Sequence, residues 1–412
     1  MCGFMKTVSD VIVVGGGPAG SFTAMNIARQ GVSVTVLEEH KEIGVPSHCA
    51  GHLSIDGLKR LGMYPLPAGI VENTFHGARF HSPSGKILSV HFPSPVTCAV
   101  NRELFDKHLA GLAKAAGVDY CLGSRVESLM LGDGGAVKGV VARREDNVER
   151  VSAKIVVDAE GVSSRLVMQA GLPTLDRCWL FSGVEAEVEN VKDIEQDTVE
   201  VFLGRDWAPG FFAWLIPKGE GYAKIGLGTR RGNPKELLHR LMVKHPAASK
   251  KLRNTRILRT IYHPITLGGP IPRTYSHGFM IMGDAASHVK STTGGGIVLG
   301  LTCTRFAADV AVEALQRSDF SARFLSSYQR RCEEALGFDV KVMLRLRKML
   351  DAMSDRQMDN AIVFCSRIGL DKALSSTKDI DFQGKSLSRL LPHPRVLAAL
   401  GYLFYIYLSA NP

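Results

Sequence analysis

The chain is poor in paired cysteines. Its eight, at 2, 49, 98, 121, 178, 303, 332 and 365, never fall as C-x-x-C. That spacing argues against a sequence-encoded zinc site or iron–sulfur cluster, so no metal is expected. No signal peptide precedes the first strand-like run, which implies reduced thiols and a cytoplasmic setting. Long apolar runs are missing too. The run Val396–Leu408 stops at thirteen residues, whereas a bilayer span needs ~18–20. It reads as a buried terminal helix or as a segment lying in the membrane interface, where its tyrosines suit the headgroup level. There is no internal repeat, no low-complexity linker and no pattern that calls for nucleic acid. Acid is the scarcer charge: 40 Asp and Glu face 50 Lys and Arg, a net of +10 over 412 residues. The excess suggests anionic partners such as a phosphorylated lipid, a membrane surface or an acidic redox protein. Two clusters carry much of it: Lys244, Lys250, Lys251, Arg253, Arg256 and Arg259, and then Lys341, Arg345, Arg347 and Lys348.

The length allows two or three domains, and 45% hydrophobic content allows a large core. Residues 10–14 read as a buried parallel strand, Ser21–Gln30 as a helix and Val32–Glu38 as a second strand ending in acid. Between the first two lies Gly15-Gly16-Gly17-Pro18-Ala19-Gly20. Gly15 makes the tight turn, Gly17 lets backbone approach a pyrophosphate, and Gly20 lets helix pack on strand. The helix N-terminus offers free N–H groups to phosphate. Glu38 stands near the spacing expected of an acid on the adenosine ribose. Far downstream, Gly283-Asp284-Ala285-Ala286 and Thr293-Gly294-Gly295-Gly296-Ile297 form a second cofactor element. The two together indicate FAD held by a discontinuous domain. Further strands are expected at 124–131, 137–143 and 154–158, and a strand–turn–helix start at Ile155–Arg165. From Trp179 to Leu267, alternating strands with Gly and Pro punctuation indicate a separate antiparallel sheet.

These elements resemble the geranylgeranyl reductase family of p-hydroxybenzoate hydroxylase-like flavoproteins, over about residues 8 to 350. The most specific segment is Pro209-Gly-Phe-Phe-Ala-Trp214-Leu-Ile-Pro217, which is similar to the family's P-x-x-Y-x-W-x-F-P. Phe212 stands in the tyrosine place and Ile216 in the phenylalanine place. The resemblance implies an α/β (α+β two-domain) fold with three parts. A Rossmann-like discontinuous FAD-binding domain would take 1–75, 95–175 and 275–325, and an antiparallel β-sheet substrate domain 76–94 and 176–274. A helical C-terminal region would take 326–412. It also implies FAD contacts at Gly15, Gly17, Gly20, Glu38, Cys49, Ala50, Arg102, Asp284, Gly295, Gly296 and Ile297. Phe211, Phe212, Trp214 and Ile216 would line a tunnel for a polyprenyl chain. The family's C-G-x-G-L appears as Cys49-Ala50-Gly51-His52-Leu53, so His52 would crowd the cofactor loop.

The activity implied is FAD-dependent saturation of C=C bonds in the geranylgeranyl chains of archaeal-type ether lipid precursors. Cys49 is the candidate catalytic group, with His48 and His52 as alternative acids. The rival readings are an aromatic hydroxylase or halogenase-type monooxygenase and a flavoprotein electron carrier to membrane quinone. The halogenase W-x-W-x-I-P is broken here by Phe212. With no second dinucleotide fingerprint, NAD(P)H at a transient site and reduced ferredoxin are equal candidates for electron donor. Peripheral association with the membrane follows from an insoluble isoprenoid substrate.

Overall fold

Val11, Ile12 and Val13 are wholly buried because the strand Val8–Val14 has a neighbour on each side. A strand with no solvent edge reads as a continuous apolar run. The computed structural model describes residues 8–163, 165–377 and 379–410, so Cys2 lies outside the described residues. Two units are distinguished. The first comprises Met1–Ser47, Arg102–Asp176 and Gly268–Phe338, and the second His48–Asn101, Arg177–Leu267 and Asp339–Pro412.

In the first unit the sheet runs, in order, Tyr275–Ser276, Phe279–Ile281, Asn147–Asp158, Val8–Val14, Val34–Glu38 and Asp119–Leu122. Val8–Val14 is parallel to both Val34–Glu38 and Asn147–Asp158, and the latter is parallel to Phe279–Ile281. Val14 pairs with Leu37 and with Asp158, and Asp158 with Ile281. The carboxyl ends of four strands therefore line up, which is where doubly wound sheets bind dinucleotides. Ser124–Leu131 and Val137–Arg144 extend Asn147–Asp158 as an antiparallel meander.

In the second unit a seven-stranded sheet runs Arg256–Thr266, Leu180–Glu189, Tyr222–Thr229, Ala213–Gly219, Thr198–Phe202, Gly77–His81 and Ile87–His91. It is antiparallel except where Thr198–Phe202 runs parallel to Gly77–His81. One face packs Val184, Ala186, Leu215, Ile225 and Leu227 against Leu237, Leu238 and Leu241 of the helix Pro234–Lys244. On the other face Trp214 and Ile216 pack with Ala50, Phe75, Ala99 and Val199; Phe75 and Ala99 come from a three-stranded sheet of His52–Ser54, Thr97–Val100 and Val71–Phe75. The C-terminal helices gather at the edge strand Ile87–His91, where Leu88 meets Ile362, Cys365 and Ala399.

Candidate functional site

The glycine turn is enforced by contact. Gly15 sits at φ +98°, and a Cβ on it would lie 2.4 Å from the carbonyl oxygen of Ala159. A Cβ on Gly20 would lie 1.9 Å from the Gly15 oxygen, whereas one on Gly17 would meet nothing within 4 Å. The turn is thus closed toward the sheet and open outward. The helix Pro18–Ala28 begins there, with Pro at its start, no side-chain cap and no acid in its first turn. Its first N–H groups stay available for an anion. Glu38 is buried; its Oε2 accepts from the Gly16 N–H at 2.7 Å and its Oε1 from the His40 N–H at 2.8 Å. The acid thereby ties the end of the second strand to the glycine turn.

The downstream element meets this turn at Gly283. A Cβ there would be 2.9 Å from Ala19 Cβ, and the Gly283 Cα lies 3.5 Å from where a Cβ on Gly300 would stand. Gly283 is therefore the point of contact between the starts of two helices, Pro18–Ala28 and Ile297–Arg317. The second also begins without a side-chain cap or an acidic first turn, on Gly296. A Cβ on Gly296 would be 2.9 Å from Asp284 Oδ1, and one on Gly295 would be 2.9 Å from Lys290 Cε. Burial pushes the Asp284 carboxyl up, and Arg102 opposes the shift. Arg102 in turn makes a paired contact to Asp106, Nε–Oδ1 at 3.0 Å and Nη2–Oδ2 at 2.9 Å. Two uncapped helix starts, an open glycine and a carboxylate facing a glycine-rich strip form a cradle that fits a dinucleotide such as FAD. The structure brings together Gly15, Gly17, Gly20, Glu38, Arg102, Asp284, Gly295, Gly296 and Ile297 within the first unit.

The first unit also holds a buried group that the spacing of residues did not reveal. His288, Cys303 and Cys332 present ligand-type atoms all within 4.8 Å of one another. Their thiols arise on two different helices, so no short motif marks them. The hydrogen bond to Cys332, then burial, pushes the Cys303 thiol well up, and burial holds His288 down to about 4.

Cys49 and Ala50 fall in the second unit, with Phe211, Phe212, Trp214 and Ile216. Cys49 is half-buried and its Sγ accepts from the Gly51 N–H at 3.4 Å. His52 does not crowd its loop. Gly51 takes the left-handed conformation at φ +70°, and His52 opens the next strand, exposed, with Nε2 2.8 Å from Thr97 Oγ1. His48 stacks on His263.

Phe211 stacks on Phe212 at 4.1 Å, and Phe212 meets Trp214 edge-on at 6.1 Å. Phe211 borders a small cleft together with Arg205, Arg347, Asp351 and Met358. Phe212, Trp214 and Ile216 do not line that cleft. Trp214 donates from Nε1 to Glu185 Oε2 at 2.9 Å. Beside it, buried Lys224 gives its Nζ protons to Glu72 Oε2 at 2.6 Å and to the carbonyls of Ala50 and Val100 at 3.0 and 3.3 Å. Burial would raise the Glu72 carboxyl, but Lys224 and Lys218 hold it below its usual value. Glu185 and Lys224 are polar groups of this face that lie outside the Pro209–Pro217 motif. The available signal is Lys224-x-Gly226-x-Gly228, a strand with bare positions on one side.

The FAD binding domain family matches residues 8–335. The chain is 34% identical to digeranylgeranylglycerophospholipid reductase 2 of Methanopyrus kandleri, covering 92% of this chain and 96% of that one. It is 36% identical to the protein of the same name from Methanothermobacter thermautotrophicus, covering 85% and 90%. Among solved structures, a geranylgeranyl bacteriochlorophyll reductase-like protein from Thermoplasma acidophilum superposes with a TM-score of 0.84 at 27% identity, covering 96% and 99%. A flavin-dependent brominase superposes at 0.70 with 19% identity over 89% and 93%, a likeness of fold alone.

Proposed function

The chain belongs to the digeranylgeranylglycerophospholipid reductase family of FAD-binding proteins, and we propose that it saturates C=C bonds in the geranylgeranyl chains of an isoprenoid glycerophospholipid. The observation that carries this reading is sustained identity of 34 and 36% to reductases over nearly their whole length. The family match over residues 8–335 takes in both the cofactor cradle and the strand bearing Trp214. The monooxygenase reading shares only the fold. The electron-carrier reading has no observation in its favour.

FAD, when bound, supplies the hydride equivalent for the alkene. The chain's own residues do the rest. Gly15, Gly17 and Gly20 with the two uncapped helix starts hold the phosphates, Glu38 the ribose, and Asp284, Arg102, Gly295, Gly296 and Ile297 the remainder of the cofactor. The family pattern assigns Cys49 and Ala50 to the same cofactor. The family pattern assigns Phe211, Phe212, Trp214 and Ile216 to the isoprenoid chain, where exclusion of water would leave the proton to a protein group. The electrons come from NAD(P)H or reduced ferredoxin, and anaerobic mixing with each donor separates them by which one bleaches the bound flavin. The protein works at a membrane surface.

The test is mass spectrometry of a digeranylgeranyl glycerophospholipid after incubation with FAD-loaded, chemically reduced protein. A gain of two hydrogens per double bond is expected. Unchanged lipid, with oxygen consumed in the presence of NADPH, would favour a monooxygenase and end the reductase reading.

A further inference from the structure

Three soft donors meet in the interior of the first unit. Cys303 belongs to the helix Ile297–Arg317 and Cys332 to the helix Ala322–Ala352, while His288 follows the turn Gly283–Ala286. His288, Cys303 and Cys332 are 4%, 0% and 7% exposed. One ligand-type atom from each, an imidazole nitrogen and two thiol sulfurs, lies within 4.8 Å of the other two. The expectation of no metal, drawn from missing C-x-x-C pairs, does not extend to donors that folding gathers from three separate elements.

The backbone is bent to deliver the histidine. Ser287 takes the left-handed conformation at φ +56°, which a residue with a Cβ rarely adopts. The chain doubles back there, and the His288 N–H donates to the Gly283 carbonyl at 3.0 Å. Strain of this kind gathers at functional sites. Hydrogen bonds satisfy much of the group: Cys303 is bonded to Cys332, Cys332 to the Tyr328 hydroxyl, and that hydroxyl donates to the Ile281 carbonyl at 2.9 Å. The imidazole is left over. Its Nδ1 is buried and has no partner among the described residues, a condition that protein interiors rarely tolerate. Cysteines that merely fill a core need no histidine beside them.

The donor set selects its ion. Two thiolates and a neutral imidazole carry a charge that one divalent cation cancels, so the filled centre is neutral, as burial requires. Sulfur and imidazole ligands suit zinc-like ions, whereas magnesium and calcium take oxygen. Zinc–sulfur and zinc–nitrogen bonds of about 2.3 and 2.0–2.1 Å set tetrahedral ligand atoms roughly 3.5–3.8 Å apart. Donors already within 4.8 Å of one another reach that spacing by closing roughly 1 Å.

We propose that His288, Cys303 and Cys332 form a binding site for a thiophilic divalent cation of the zinc type, which clamps two helices to the turn that carries Asp284. On binding, both S–H bonds break and their protons pass to solvent. Two metal–sulfur bonds and one metal–nitrogen bond form, and no electron is transferred. The fourth tetrahedral position is left to a water or to the Tyr328 oxygen.

The test uses the full chain with its FAD, stripped of metal by a chelator under reducing conditions and then titrated with Zn²⁺ alone. About one zinc per chain should be retained after gel filtration, measured by elemental mass spectrometry. Co²⁺ used as a probe should give thiolate-to-metal charge-transfer absorption. Cys303→Ser, Cys332→Ser and His288→Gln, each checked for folding by circular dichroism, should each weaken zinc binding roughly 10-fold or more. Cys365→Ser, a buried free cysteine outside the group, should bind as the wild type does. X-ray absorption of the zinc-loaded wild type needs no variant and should show two sulfur ligands at about 2.3 Å and a nitrogen at about 2.0–2.1 Å. Reduced wild type that retains no zinc would overturn the site. So would zinc held by oxygen and nitrogen alone, or uptake that Cys303→Ser and Cys332→Ser leave unchanged.

Discussion

At Asp284 burial already raises the carboxyl while Arg102 pulls it back, so its charge depends on what it faces. Asp284→Asn keeps the shape and removes the charge. Loss of a charge-assisted bond worth about 1.5–3 kcal/mol should weaken FAD binding roughly 10- to 100-fold, read by fluorescence titration of the apoprotein. An unchanged affinity would remove Asp284 from the cofactor site. His245 makes a prediction of a different kind. Its Nδ1 accepts from the N–H groups of Ala247 and Ala248 at 3.1 and 3.2 Å, which requires the neutral ring. Burial first, then His81, holds it down to about 4 from 6.5. A histidine with a lowered folded pKa contributes stability above 6.5 that is lost as pH falls toward 4, because only the unfolded chain takes up the proton readily. Chemical denaturation should show stability falling across that window, and His245→Asn should flatten the fall. Equal slopes would show that other groups govern acid unfolding. Polar residues of the two units differed in how visible they were in the sequence. Asp284 stood within a recognisable run of glycines and alanines. Glu185 did not, since Glu185, Glu187 and Glu189 alternate as a solvent-facing strand would. Only the indole laid over Gly226 singles out the first of them.

Two glycines, one in each unit, show what elements contribute. Gly20 brings the helix Pro18–Ala28 down onto the turn, and Gly226 lets an indole cross a strand. Gly20→Ala would force a Cβ to within 1.9 Å of the Gly15 oxygen. It should cost about 1–3 kcal/mol in stability as overpacking and strip flavin from the purified protein, read from the ratio of flavin to protein absorbance. Gly226→Ala, 2.5 Å from the Trp214 ring and 2.7 Å from the Val184 oxygen, should leave flavin content intact while lipid saturation falls. If both substitutions deplete flavin equally, Gly226 has no separate substrate-side role. The glycine turn was legible because its chemistry is local: strand, tight turn and helix lie within one short stretch. Other elements were only partly so. The helix begins at Pro18 rather than Ser21 because proline suits a first helical position. The strand expected at 154–158 starts at Asn147, because its early residues pair only within an exposed meander and look polar. The parallel pairing of Thr198–Phe202 with Gly77–His81 joins segments far apart in the chain, and no local pattern encodes it.

For the whole molecule, the net charge of +10 is distributed in a way the sequence hid. The first basic cluster has no acid among its own residues. Neighbouring strands supply them: Lys251 pairs with Glu200, Arg256 with Glu189 and Arg259 with Glu187. In the second cluster Arg347 is buried and paired with Asp351 at 2.7 Å, so it adds nothing to the surface field expected of it. Lys341, Arg345 and Lys348 remain exposed. Among the described residues no helix is long and apolar enough to cross a membrane. The terminal helix Pro394–Ala410 divides its apolar residues between two sides. Val396, Ala399 and Ile406 are buried, while Leu397, Phe404, Tyr405 and Leu408 are each more than half exposed. Exposed aromatic and aliphatic side chains, together with exposed cations, suit a lipid interface. Each of the three lysine or arginine residues would add ~1 kcal/mol near an anionic surface, screened by salt. Deleting the helix would uncover the core beneath Val396 and Ile406, so the discriminating variant is Phe404→Ser with Tyr405→Ser and Leu408→Ser. Full-length protein should sediment with anionic vesicles at low salt and release partly at high salt. The triple variant should bind markedly less at either. Binding indifferent to both salt and substitution would place the lipid contact elsewhere on the molecule.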